Sequence, residues 1–169
     1  MNLYVLRHAE AEPKGPSWAA HDHERPLTPS GIKKFERSLK GLRGLELKID
    51  LVLSSPFTRA RQTAEIFCRA FKAGRKLEFT LHLIPSGDPR KLISDLRQSY
   101  ADRENIVIVG HEPYLSELVS QLIGGDIYSN LALKKGGLCK LEADKLAYDR
   151  CATLKWLLTP RQLLLMAGE

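Results

Sequence analysis

The chain has 169 residues, carries 26 basic and 20 acidic side chains for a formal charge of +6, and is 43% apolar. That is enough for one domain, 1–169, with a full core, and no run of about 18 apolar residues marks a membrane helix. Basic pairs such as Lys33-Lys34, Arg90-Lys91 and Lys134-Lys135 are scattered rather than aligned in a stripe with interleaved aromatics. The charge therefore points to an acidic partner or substrate and away from nucleic acid. Cys68, Cys139 and Cys151 are odd in number, widely spaced and without a Cys-x-x-Cys, which fits free thiols in a reducing compartment. The N-terminal apolar stretch lacks a basic lead and is interrupted by Arg7-His8, unlike a secretory signal. A cytoplasmic protein is expected.

Leu3–Leu6 opens the chain as a short apolar strand. Next comes an irregular stretch, Glu12–Leu27, rich in Pro, Gly and His, of a length that is usually functional or mobile in a compact domain. Thr28-Pro29 supplies an N-cap and a first-turn proline, and Ile32, Phe35, Leu39 and Leu42 then repeat at helical spacing up to Gly44. Leu51–Leu53 predicts a second strand. Ser55-Pro56 starts a second helix, with Phe57, Ala60, Ala64, Phe67 and Phe71 along one face. Leu77–Leu81 predicts a third strand, Asp88-Pro89 a third helix, and Ile106–Val109 a fourth strand. Pro113 starts a fourth helix closed by Gly124-Gly125, and Leu138–Glu142 and Thr153–Leu158 follow as strands at a sheet edge. This alternation predicts an α/β fold with helices on both faces of a mostly parallel sheet. The nearly continuous apolar runs of the first, second and fourth strands suit strands covered on both sides.

Strand exits are where open α/β sheets place ligand sites, and chemistry-bearing residues gather there. Arg7-His8 follows the first strand, and Gly110-His111 follows the fourth. Between them, Ser54-Ser55-Pro56-Phe57-Thr58-Arg59-Ala60 leaves a strand and enters a helix, whose N-terminus favours anions. A neutral imidazole is available at pH 7 and can attack phosphorus. Guanidinium forks match phosphoryl oxygens. His111 can donate to a phosphoryl oxygen and, if protonated, add positive charge. His8, Arg7, Arg59 and His111 together suit a site that holds phosphate and accepts it covalently. His21-Asp22-His23 has loose spacing and no third ligand nearby, so a solvated loop is expected there and no metal.

Leu6-Arg7-His8-Ala9-Glu10, Arg25-Pro26-Leu27-Thr28, Ser54-Ser55-Pro56 with Arg59-Ala60 and Gln62-Thr63-Ala64, and Gly110-His111 stand in that order. Together they resemble the histidine phosphatase superfamily, the phosphoglycerate-mutase-like fold, and with the short length and Ser86-Gly87-Asp88 the phosphohistidine phosphatase group within it. The similarity runs from residue 2 to about residue 123 and extends weakly to Trp156–Pro160. It implies a three-layer α/β/α sandwich and a phosphatase, with His8 as phosphorylated nucleophile and Arg7, Arg59 and His111 completing the phosphate pocket. It further implies that neither metal nor other cofactor is used. The substrate would be a phosphorylated protein in signal transduction, such as a histidine phosphotransfer domain, or a small phosphate ester, with no nucleic acid or membrane partner. Two departures stand out. Ala9 replaces the commoner glycine after the nucleophile. The stretch after the third strand, where many members carry an acid, offers Asp88 alone, which also suits the N-cap of the helix at Pro89; Asp22 and His23 are alternatives. The same residues would also serve a phosphomutase or a non-catalytic phosphate-binding module.

Overall fold

In the computed structural model, residues 1–168 are described, apart from the side chain of Arg75. The strands are β1 (Asn2–Arg7), β2 (Leu51–Ser54), β3 (Leu77–Phe79), β4 (Asn105–Gly110), β5 (Leu138–Glu142) and β6 (Thr153–Leu158). The helices are α1 (Pro29–Gly41), α2 (Thr58–Ala70), α3 (Pro89–Gln98), α4 (Tyr114–Gly124) and α5 (Pro160–Met166). One mixed sheet has the order β3-β2-β4-β1-β5-β6. The first four pair in parallel; at the other side β5 pairs antiparallel with both β1 and β6, so β5 alone runs against the rest.

Side-chain alternation along each strand sorts the apolar residues into two layers. Leu3, Val5, Leu53, Ile106 and Ile108 face α3 and α4, packing with Leu92, Leu96, Leu115 and Leu118. Tyr4, Leu6, Val52, Val107 and Val109 face α1, α2 and α5, packing with Phe35, Ala64, Phe67 and Leu163. With both faces covered, β1, β2 and β4 read as continuous apolar runs, and the three-layer α/β/α sandwich follows.

Helix starts follow the cap chemistry. Thr28 accepts from the Gly31 amide, and Asp88 accepts from the Arg90 and Lys91 amides. The second helix starts at Thr58, two residues later than Pro56, because Phe57 is non-helical at ψ 134° and its amide is taken by the Ser55 hydroxyl. The third strand ends at Phe79, short of Leu81. The sequence reading gave no helix after β6, yet α5 is there, closed at its start by a reciprocal Thr159–Gln162 capping box.

The seam between α1 and α5 is tight at Gly41. A Cβ built there would sit on the backbone carbonyl of Leu163. Gly41→Ala is therefore expected to force the two helices apart and lower stability by about 2 kcal/mol. Chemical denaturation measures this, and an unchanged midpoint would contradict the seam.

The stretch from Glu12 to Leu27 is not shapeless. It contains 3-10 turns at Pro16–Trp18 and Asp22–Glu24. Its ends are tied by an Ala11–Leu27 bridge, and the Leu27 amide donates to Gln62 of α2 at 2.8 Å. This tether lays the loop against the start of α2.

Candidate active site

The carboxyl ends of β1, β2 and β4 lie side by side, with Arg7 in register with Gly110 and Ser54 with Val109. The residues just beyond those ends must therefore meet. The His8 amide donates to the Gly110 carbonyl at 3.1 Å, and the His8 and His111 rings are 5.2 Å apart between centroids. A cleft of about 360 Å³ is lined by Arg7, His8, Arg59 and His111, with Asp22, Arg25, Glu112 and Lys135 around them. All four residues assigned to the phosphate pocket thus share one cleft.

His8 is 6% exposed, and its Nδ1 lies 2.7 Å from the Ala9 carbonyl. A carbonyl oxygen only accepts, so Nδ1 carries the hydrogen and Nε2 keeps its lone pair. Burial pushes the His8 pKa down to about 3; the Ala9 bond opposes this, and the cations Arg59, Arg7 and Arg25 add to it. The imidazole is therefore neutral near pH 7, in the nucleophilic tautomer.

His111 is also buried, with Nε2 2.9 Å from the Ser55 hydroxyl. Burial, reinforced by Arg59 and His8, takes its pKa to about 2. Of the two forms open to His111, neutral donor or charged imidazolium, burial favours the neutral imidazole. Two such histidines have a cost in acid. Each gains a proton in the unfolded chain below about pH 6.5, whereas the folded forms resist protonation down to about 3 and 2. Stability is expected to fall as pH drops from 6.5 toward 3, by about 1 kcal/mol per histidine at pH 5.5. Denaturant midpoints between pH 7.5 and 5 test this, and His8→Asn should flatten the slope.

Arg59, on the first turn of α2, is 3% exposed. Its Nη1 donates to the Asp22 carbonyl at 2.7 Å and its Nη2 to the Asp22 carboxylate at 3.0 Å. Arg25 holds the other carboxylate oxygen of Asp22 at 2.9 Å. Burial alone would raise the Asp22 pKa, but the bonds and charges of Arg25 and Arg59 outweigh it and hold the group below the usual range. Asp22 thus stays ionised and orients Arg59; it is poorly suited to give up a proton. Arg7 donates Nη1 to the Leu133 carbonyl at 2.8 Å. Thr63 ties the segment after His8 to that of Arg59: its hydroxyl accepts the Ala9 amide at 3.0 Å and donates to the Arg59 carbonyl at 2.6 Å.

Four buried side-chain polar atoms have no hydrogen-bond partner among the described residues, and three of them belong to this set: Arg7 Nε, Arg59 Nε and His111 Nδ1. An unmet buried polar group costs about 1–3 kcal/mol. All three belong to residues that line this one cleft.

Asp88 lies outside the cleft lining, with its carboxylate committed to the first turn of α3. His23 is exposed, its ring 3.5 Å from the Glu24 carboxylate. The carboxyl group that the sequence reading missed is Glu112. It lines the cleft half-buried, and burial raises its pKa against the opposing pull of Ser116 and Arg7. Its position directly after His111 was the available signal. Among the described residues, no cluster of three or more His, Cys, Asp or Glu could hold a metal.

Comparisons with known proteins place the chain in a family. Residues 3–83 match the family model for the histidine phosphatase superfamily, branch 1. The phosphohistidine phosphatase SixA of Escherichia coli K12 is 30% identical over 128 residues, covering 75% of this chain and 76% of that protein. An uncharacterized protein of Picosynechococcus is 34% identical over 85% of this chain and 86% of its own length. The solved structure of SixA complexed with tungstate superposes with a TM-score of 0.83 at 26% identity, covering 96% of this chain and 99% of that one. The chain belongs to the histidine phosphatase superfamily, is SixA-like, and is a phosphatase.

Proposed function

We propose that the enzyme works without metal through a phosphohistidine on His8 and removes phosphate from a phosphohistidine-bearing protein. The observation that carries this reading is the set of unmet buried nitrogens on Arg7, Arg59 and His111 beside a neutral His8 whose Nε2 keeps its lone pair. The tungstate bound by the SixA relative, a tetrahedral oxyanion, supports a phosphate site, and that relative's name supports phosphohistidine as the group acted on.

His8 Nε2 attacks phosphorus and a P–N bond forms while the bond to the leaving nitrogen breaks. The two guanidiniums and His111 take the charge of the equatorial oxygens, the task metals perform elsewhere. Glu112, with its raised pKa, gives its proton to the leaving nitrogen. Water then attacks the phosphoryl group, returns a proton to Glu112 and releases inorganic phosphate and free His8.

The test uses a phosphohistidine-bearing histidine phosphotransfer domain and an aryl phosphate, each with and without EDTA. Both are expected to be hydrolysed at unchanged rates in chelator, with the protein substrate preferred. Loss of activity in EDTA, restored by a divalent ion, removes the metal-free reading. Better turnover of small esters removes the protein substrate. Glu112→Gln should slow the phosphohistidine reaction about tenfold or more and flatten the alkaline side of its pH profile.

A further inference from the structure

Behind Arg7 lies a second, larger cavity of about 600 Å³, within the roughly 300–1,000 Å³ typical of small-ligand sites. It is built where the first turns of α1, the entry to β5 and the start of α5 converge. Arg7 and Lys135 line both this cavity and the catalytic cleft, so the two adjoin across these side chains. Lys34, Lys134 and Arg161 add three more cations, against the single carboxylate of Glu10. Among the described residues, no carboxylate pairs with Lys34, Lys134, Lys135 or Arg161. The floor is apolar: Phe35, 2% exposed, with Pro160 and Ala9 beside it.

Five cations around an apolar floor form an unusual surface. Lys34, Lys134, Lys135 and Arg161 are solvent-exposed, so they keep their charge and raise the local concentration of anions, and the phosphoryl group taken by His8 lies in the neighbouring cleft. Nothing in the proposed chemistry uses Lys34, Lys134 or Arg161.

We propose that this cavity is a second anion subsite, which takes a carboxylate or phosphate carried on an apolar stem by the same molecule that presents its phosphoryl group to His8. The inference rests on the phosphatase reading for the identity of that phosphoryl group, and it specifies the substrate class. The preferred substrate is doubly anionic: either a protein with an acidic side chain beside its phosphohistidine, or a small ester with a second acid.

Phenyl phosphate and 4-carboxyphenyl phosphate differ by that one carboxylate. Their binding is measured by calorimetry on His8→Ala, which holds ligand without turnover, and on the same protein with Lys34→Glu and Arg161→Glu added. The carboxylated compound is expected to bind at least about fivefold tighter, and the added charge reversals to abolish that preference. Binding of phenyl phosphate should weaken less than that of the carboxylated compound, and an unchanged melting temperature reports an intact fold. In the enzyme with His8 restored, kcat/KM should show the same preference and the same loss. A second arm compares phosphohistidine peptides with glutamate or glutamine beside the phosphorylated residue. A charge preference in the peptides assigns the anion to a protein; one confined to the esters assigns it to a small molecule. No preference in either arm, or a preference that survives the charge reversals, overturns the subsite. Tighter binding on His8→Ala without any turnover by the enzyme would instead overturn the phosphatase mechanism and leave the subsite standing.

Discussion

Replacing His8 by alanine is expected to lower the turnover of phosphohistidine protein and aryl phosphate alike by at least about 10³-fold, with little change in melting temperature. The size of the effect follows from the role. Arg7, Arg59 and His111 can hold a phosphoryl group, but none offers a neutral nitrogen whose tautomer is fixed as His8 Nδ1 is by the Ala9 carbonyl. Without that lone pair no covalent intermediate forms, and water must attack the substrate directly. Quenching the wild-type enzyme during turnover of labelled substrate should trap label on His8 in an adduct stable to base and labile to acid. A variant retaining a tenth of the wild-type rate, or label found on another residue, would end the covalent mechanism.

Arg59→Lys is expected to reduce kcat/KM about 10²-fold and to weaken inhibition by tungstate in parallel. Charge is conserved in this variant, so the loss isolates geometry. Arg59 spends Nη1 and Nη2 on Asp22 and keeps Nε unmatched. It can therefore anchor the loop and face an anion at once. A lysine ammonium is a single point and cannot do both. It either follows Asp22 and leaves the cleft, or serves the phosphoryl group and releases the loop. Near-wild-type kinetics for Arg59→Lys would show that only a positive charge is required there.

Much of this was legible from sequence because the strands carrying the site are buried on both faces. Leu3–Leu6, Leu51–Leu53 and Ile106–Val109 are apolar without interruption, so their ends, and the Arg7-His8 and His111 beyond them, can be located in the chain. Helix starts at Thr28 and Asp88 were equally readable, since a cap is a local event. What escaped was non-local or short. Asp22 lies 37 residues from Arg59, and their meeting depends on how a proline- and histidine-rich loop closes. Glu112 was passed over because its acidity depends on burial, which the residues around it in the chain do not reveal. The seven-residue helix α5 is too short for periodicity to register, although its Thr159-Pro160-Arg161-Gln162 start carried a capping signature.

The direction of the strands also divides the molecule into two ends with different freedoms. Asn2, Leu51, Asn105, Glu142 and Thr153 sit at the end of the sheet opposite the cleft, and the turns around residues 45–50, 99–104 and 143–152 join there. Those turns share no residue with the reactive cleft. Fluorophores, affinity handles or immobilising linkers attached at that end would leave the phosphoryl-transfer machinery facing outward and unhindered.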